Sequence, residues 1–227
     1  MFITLEGPDG GGKSSQIGPL AEFLRQAGYA VLTTREPGGT PIGDQVRQIL
    51  LNPQNTEMQP RTEVLLFQAS RAQLVEQVIR PHLQSGGVVI SDRYADSTLA
   101  YQGYGQGGDL DVLRTLLNFA TGGLKPDLTL LLDIGAEQGI QRIASRKPGY
   151  QDGEWNRLDA NALAYHQRVC AGYHELTRLE PARWVRVDAS LPPEEVQQRL
   201  RAAVLERLGE ITAGPQKTSP SQPPRDP

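Results

Sequence analysis

A three-layer α/β domain, with helices on both faces of a five-stranded parallel sheet, is the architecture this 227-residue sequence predicts. Two observations carry it. Short apolar runs alternate with helical-period segments five times, and the first run opens directly into a glycine-rich turn followed by a helix. Length and a 38% hydrophobic content suit one well-buried domain, taken as residues 1–209.

The first strand is Phe2–Leu5, and the turn after it holds Gly7, Gly12, Lys13 and Ser14 at the spacing G-x-x-x-x-G-K-[ST]. Glycines let backbone N–H groups converge on a phosphate, Lys13 adds a point charge, and Ser14 offers a hydroxyl to Mg²⁺. The helix behind it, Gln16–Ala27, aims its positive end at the same anion. Pro19 is expected to kink that helix, and Gly28 to stop it. Together these features predict a P-loop nucleotide-binding fold.

Tyr29–Thr33 is the second strand, and Arg35 follows it at the carboxyl rim of the sheet, where open α/β folds hold ligands. Beside the turn residues Pro37, Gly38 and Gly39, its guanidinium suits a phosphate clamp. Pro41–Leu51 is a short helix and Pro60–Leu83 a long one, whose apolar surface is wider than one core-facing stripe requires. Part of that surface is expected to meet a second subunit. Phe67 and Arg71, four residues apart, share one face.

Gly87–Ser91 is the third strand, tipped by Asp92, Arg93 and Tyr94; Asp92 is the expected Mg²⁺ ligand, and Asp133, ending the fourth strand, is its rival. Ser97–Gly108 is expected to be a glycine-rich loop closing over something flat and polar. Asp109–Ala120 is a helix, Asp127–Leu132 the fourth strand, and Gly135–Lys147 a helix with Arg142 and Arg146 on one face. PGYQDGEWNR has no apolar periodicity and reads as a flap, with a lid at about 147–157. Leu158–Leu179 is helical, Trp184–Val187 the fifth strand, and Pro193–Leu208 the last helix. The proline-rich end, 210–227, is expected to be disordered.

A net charge of −3 and a pI near 5.7 give no global field for nucleic acid, and no apolar run approaches membrane-spanning length. The lone Cys170 closes no intrachain disulfide and reads as a structural thiol, in keeping with a cytoplasmic protein.

Two classes then compete: a kinase that hands phosphate to a small acceptor, and a switch that hydrolyses it. No asparagine precedes a lysine, so the guanine-reading N-K-x-D of switches is absent. Separate arginines favour a kinase, because transfer between phosphates brings two anions together and each needs its own counter-charge. Lys13 and Mg²⁺ serve the donor, Arg35 and Arg93 an acceptor phosphate, and Arg142 and Arg146 the group in transit.

LEGPDGGGKSSQ, TREPGGTPIG, EVLLFQASRAQ, SDRYADSTLAYQG and an arginine-bearing flap, in this order, resemble the thymidylate kinase family over nearly all of residues 2–208. The resemblance implies phosphoryl transfer from ATP to dTMP, a homodimer, and a nucleoside monophosphate kinase-like fold. It implies that Gly7, Pro8, Asp9, Gly10, Gly11, Gly12, Lys13, Ser14 and Ser15 form the ATP site. Asp9 would also bond the deoxyribose 3′-hydroxyl, Arg35 and Arg93 the dTMP phosphate, Phe67 the thymine face, and Arg71 and Gln102 the base edge. Tyr101 would crowd the place of a ribose 2′-hydroxyl. One variant of the family carries a catalytic arginine in the P-loop after the Asp; with Gly10 there, this chain resembles the variant with basic residues on the flap. Asn156, Arg157, Leu158 and Asp159 depart from the family's Asp-Arg and Glu pattern after the flap. The alternatives are another nucleoside monophosphate or deoxynucleoside kinase and, further off, a hydrolysing switch.

Overall fold

All five residues of strand β1 (Phe2–Glu6) are buried, because it is the middle strand of a sheet covered on both sides. In the computed structural model, which describes residues 1–145 and 163–213, β1 pairs in parallel with β3 (Val88–Asp92) and β4 (Leu128–Asp133). Adding β2 (Val31–Arg35) and β5 (Trp184–Asp188) gives five parallel strands in the order β2-β3-β1-β4-β5. The chain leaves β1 toward one edge and later returns to build the other. The carboxyl end of β1 therefore stands at the switch point where such sheets bind ligands.

Alternate side chains enter opposite layers, as strand pleating demands. Ile3, Leu5, Ile90, Leu130 and Leu132 meet Leu20 and Leu24 of α1 (Lys13–Gln26) and Val196, Leu200 and Val204 of α9 (Pro193–Ala213). Phe2, Val89 and Leu131 face the other layer. That layer includes α3 (Pro60–Leu74), α6 (Leu110–Thr121) and α8 (described over Leu163–Leu179). Two further helices, α2 (Pro41–Leu51) and α7 (Ala136–Ala144), flank the ligand end.

α1 itself runs on through Pro19, which lies on its exposed face. Three expectations need correction. The single helix expected over Pro60–Leu83 is interrupted after α3 by a wider π-helical turn, Val75–Ile79, before α4 (Arg80–Gln84). Pro81 supplies the reason, since it cannot donate the bond a regular helix needs there. Ser97–Gly108 is mostly helix rather than loop: α5 (Ala95–Thr98) runs into a π-helical segment, Leu99–Gly105. Its glycines serve packing. A Cβ on Gly105 would stand 2.8 Å from both Tyr165 and Val169 of α8. Finally, α9 continues through Glu210–Ala213, where Arg207 pairs with Glu210 at 3.0 Å and donates to the Asp127 and Ala182 carbonyls. The expected lid and residues 214–227 lie outside the described residues, as do Arg146, Lys147 and Arg157. Among the described residues, no helix is long and apolar enough to cross a membrane.

Candidate active site

Gly7, Gly10 and Gly12 have φ of 138°, 79° and 83°, which only glycine adopts without strain. Gly10 has a second reason to lack a side chain: a Cβ there would overlap the backbone of Gly139 on α7. An arginine following Asp9 therefore has no room. The loop delivers Lys13 to the inside, where its Nζ donates to the carbonyls of Gly7 and Pro8, each at 2.9 Å. Burial, then repulsion from Arg93, lowers the Lys13 amine to about 8. No acidic residue stands in the first turn of α1, so its positive end is left for an incoming anion.

Arg93 sits at φ 69°, an uncommon conformation for a non-glycine residue, and its guanidinium turns back under the P-loop. Nη1 donates to the Gly7 carbonyl, Ser97 Oγ and Tyr173 Oη, all at 3.1 Å. Nη2 pairs with Asp9 and donates to Tyr101 Oη at 2.9 Å, while Tyr101 in turn donates to the other Asp9 oxygen at 2.8 Å. Burial raises the Asp9 carboxyl, but Arg93 and Lys13 outweigh it and leave the group below its ordinary value. Beneath them, Glu6 accepts from Tyr94 N–H, Ser97 Oγ and Tyr173 Oη at 2.6–2.8 Å. Burial, with Asp96 nearby, pushes its carboxyl up to about 7.

The decisive feature is that Lys13 and Arg93 share one acceptor, the Gly7 carbonyl. Two cations 80 positions apart in the sequence thus stand side by side at the switch point.

Ser14 Oγ donates to Asp92 Oδ2 at 2.7 Å on the exposed side. A hydroxyl and a carboxylate in contact are hard oxygen donors of the kind Mg²⁺ takes alongside water and substrate phosphates. The rival Asp133 is engaged elsewhere, by His174 at 2.8 Å and by Arg186. It does not cap α7, whose N-cap is Gly135. The cleft it borders also holds Cys170, whose thiol burial pushes up to about 11, so it stays protonated and un-nucleophilic.

Arg35 ends β2 on the rim, more than half exposed and 3.4 Å from Asp44. Arg47, on α2, was not expected from the sequence. Its Nη1 donates to the Pro37 carbonyl at 3.0 Å, and burial, followed by the charge of Arg35, lowers its pKa, with Asp92 and Arg93 also in its field. On an amphipathic helix it reads as surface charge; only the fold-back of the Pro37–Gly39 loop shows otherwise. Arg142 is not brought to Lys13 and Arg93. It donates from Nη1 to the Ala189 carbonyl at 2.8 Å and so ties α7 to the end of β5.

Arg71 is 1% exposed, and it already makes five hydrogen bonds to four protein acceptors. Nε and Nη2 reach Glu36 Oε2 at 2.8 and 2.5 Å, Nη1 reaches Gln68 Oε1 at 2.8 Å and Thr98 Oγ1 at 3.1 Å, and Nη2 also reaches the Tyr94 carbonyl at 3.1 Å. Phe67, one turn earlier, is partly exposed beside the buried Gln68. Gln102 is buried and donates to Glu63 at 2.9 Å.

Comparison with known proteins decides the family. The model described as thymidylate kinase matches residues 5–200. A thymidylate kinase of Roseiflexus castenholzii is 53% identical over 93% of this chain and 95% of its own, and one of Deinococcus radiodurans is 49% identical over 91% and 97%. The chain belongs to the thymidylate kinase family. The crystal structure of thymidylate kinase from Ehrlichia chaffeensis superposes with a TM-score of 0.69 at 30% identity, covering 92% of this chain and 98% of that one. The reaction is that of a thymidylate kinase, ATP-dependent phosphorylation of dTMP to dTDP, in place of the other kinase and switch readings.

The buried Arg71–Glu36 pair braces this kinase's site, and breaking it leaves a guanidinium without a counter-charge. Glu36→Ala is expected to lower stability by about 3–5 kcal/mol, read from the urea midpoint. A loss under about 1 kcal/mol would show that Arg71 finds other compensation.

Proposed function

We propose that the two cations on the Gly7 carbonyl divide the substrates between them. Lys13, with the amino end of α1, takes the transferring end of ATP, and Arg93, flanked by Arg35 and Arg47, takes the phosphate of dTMP. The shared acceptor supports this reading, because it sets the two cations against one carbonyl, as neighbouring donor and acceptor phosphates would require. Lys13 Nζ moves from the Gly7 and Pro8 carbonyls to phosphate oxygen, where charge builds during transfer. Asp9, kept ionised by Arg93, orients that guanidinium and accepts from the sugar 3′-hydroxyl. Tyr101 closes the sugar side, Phe67 stacks on the base, and Gln102 meets its edge. Ser14 and Asp92 would hold Mg²⁺, which when bound neutralises phosphate charge.

Other parts of the reading rest on single features. Phe119 is 87% exposed, with Leu65 and Val112 also exposed on neighbouring helices, and this apolar face suits a homodimer. Phe119→Glu is expected to shift sedimentation from dimer to monomer; an unchanged dimer would place the interface elsewhere. A cytoplasmic location fits a chain whose one cysteine is unpaired.

The assignment is tested by ATP turnover against dTMP, other nucleoside monophosphates, nucleosides and no acceptor. dTMP should be preferred, and Lys13→Ala should lower its turnover by roughly 100- to 1,000-fold with the fold intact. Turnover retained in that variant would remove Lys13 from the reaction.

The lowered Lys13 pKa gives a second check. In the free protein about half of these amines are neutral at pH 8. A bound phosphate favours the charged form, so ATP binding should take up protons at pH 8 and almost none at pH 6.5. Calorimetry in buffers of different ionisation enthalpy measures this. Equal uptake at both values would mean that Lys13 does not meet the phosphates.

A further inference from the structure

We propose that Glu6 and Tyr173 are positioning residues for the acceptor phosphate: together with Ser97 they fix both the guanidinium of Arg93 and the backbone that carries it. The inference rests on the reading that Arg93 takes the phosphate of dTMP, and adds to it the residues that aim Arg93.

Arg93 is hard to hold in place. Its φ of 69° is costly for a residue with a side chain and persists only where the surroundings over-determine it, and a long side chain has many rotamers to lose. The carboxylate of Glu6 answers both needs, one with each oxygen. Oε1 accepts from Tyr94 N–H at 2.7 Å, which pins the peptide directly after Arg93. Oε2 accepts from Ser97 Oγ at 2.6 Å and from Tyr173 Oη at 2.8 Å. Those are the two hydroxyls that Arg93 Nη1 meets, each at 3.1 Å.

A hydroxyl can turn its proton or its lone pairs toward a neighbour, so what Arg93 finds there depends on what takes the proton. Ser97 Oγ and Tyr173 Oη stand 3.0 Å apart, and without Glu6 one could give its proton to the other. A carboxylate only accepts. With both protons drawn onto Glu6 Oε2, both hydroxyls must show lone pairs to a guanidinium that has donors only. Three donors on two oxygens suit the ionised form of Glu6. On the other side of the guanidinium, Asp9 and Tyr101 hold Nη2. Nε is the N–H of Arg93 that meets no acceptor among the described residues, and it is left for phosphate. Glu6 is fully buried and Tyr173 is 1% exposed, so both act through Arg93 and not on a substrate. The bonds of Lys13 go to the Gly7 and Pro8 carbonyls and use neither hydroxyl, so the donor side stands apart from this network.

The test is steady-state kinetics of the full chain, with dTMP and ATP varied in turn, in Glu6→Gln, Tyr173→Phe, Arg93→Lys and the double variant Glu6→Gln/Arg93→Lys. Melting temperature is the check on folding. Glu6→Gln keeps the shape but sets an amide N–H against groups that donate. It should raise the dTMP KM roughly tenfold and leave the ATP KM within about twofold. Tyr173→Phe removes one of the two hydroxyls and should raise the dTMP KM by roughly 3- to 10-fold; it carries the test should Glu6→Gln fail to fold. Arg93→Lys keeps the charge without the fork, and should lower kcat/KM for dTMP by roughly 100-fold. In that background Glu6→Gln should cost less than about twofold more, because the group it positions is gone. Factors that multiply, or an equal rise in both KM values, would make Glu6 and Tyr173 structural and overturn the proposal. A normal dTMP KM in either Glu6→Gln or Tyr173→Phe, with Arg93→Lys impaired, would keep the acceptor reading and overturn the positioning. An unimpaired Arg93→Lys would remove Arg93 from the acceptor site, and both readings would fall.

Discussion

The structure depends on holding two positive charges against one backbone oxygen in the interior. Lys13 and Arg93 repel each other, and burial disfavours the Lys13 charge. What makes the arrangement tolerable is a carboxylate beside each: Asp9 against Arg93, Asp92 in the field of Lys13, and Glu6 beneath both. Even so the compensation at Lys13 is incomplete, and burial together with Arg93 lowers its amine to about 8. In the proposed reading, an incoming phosphate would relieve that uncompensated charge.

Most of the architecture was legible in the sequence, because it follows from local pattern. The five strands fall within two residues of the apolar runs, since the central strands are covered on both faces and must be largely apolar. The P-loop needed only its glycines and Lys13. Local pattern misled where glycine served packing: Gly103 and Gly105 look like loop residues, yet their missing side chains let the segment 99–105 lie against α8 and the start of α6. Pro81 hid a change of helix type that no periodicity records.

In the site, the residues beside a motif were legible and those reached across the fold were not. Asp92 and Arg93 end a strand next to the P-loop, and their meeting with Ser14 and Asp9 follows from strand order. Glu36, Arg47 and Glu63 act through partners many residues away, Glu36 holding Arg71 across 35 positions of chain. Nothing in the run of residues around Arg71 says that its donors are all spent. That depends on Thr98 and Tyr94, brought in by another helix.

The contact between Gly10 and Gly139 bears on how this family diversifies. Two bare α-carbons face each other across the P-loop and α7, so a longer residue at position 10 is barred until α7 withdraws. Acquiring a P-loop arginine would demand concerted change in two segments more than a hundred residues apart. In this chain the layout of the P-loop is thus held by a steric contact as well as by its chemistry.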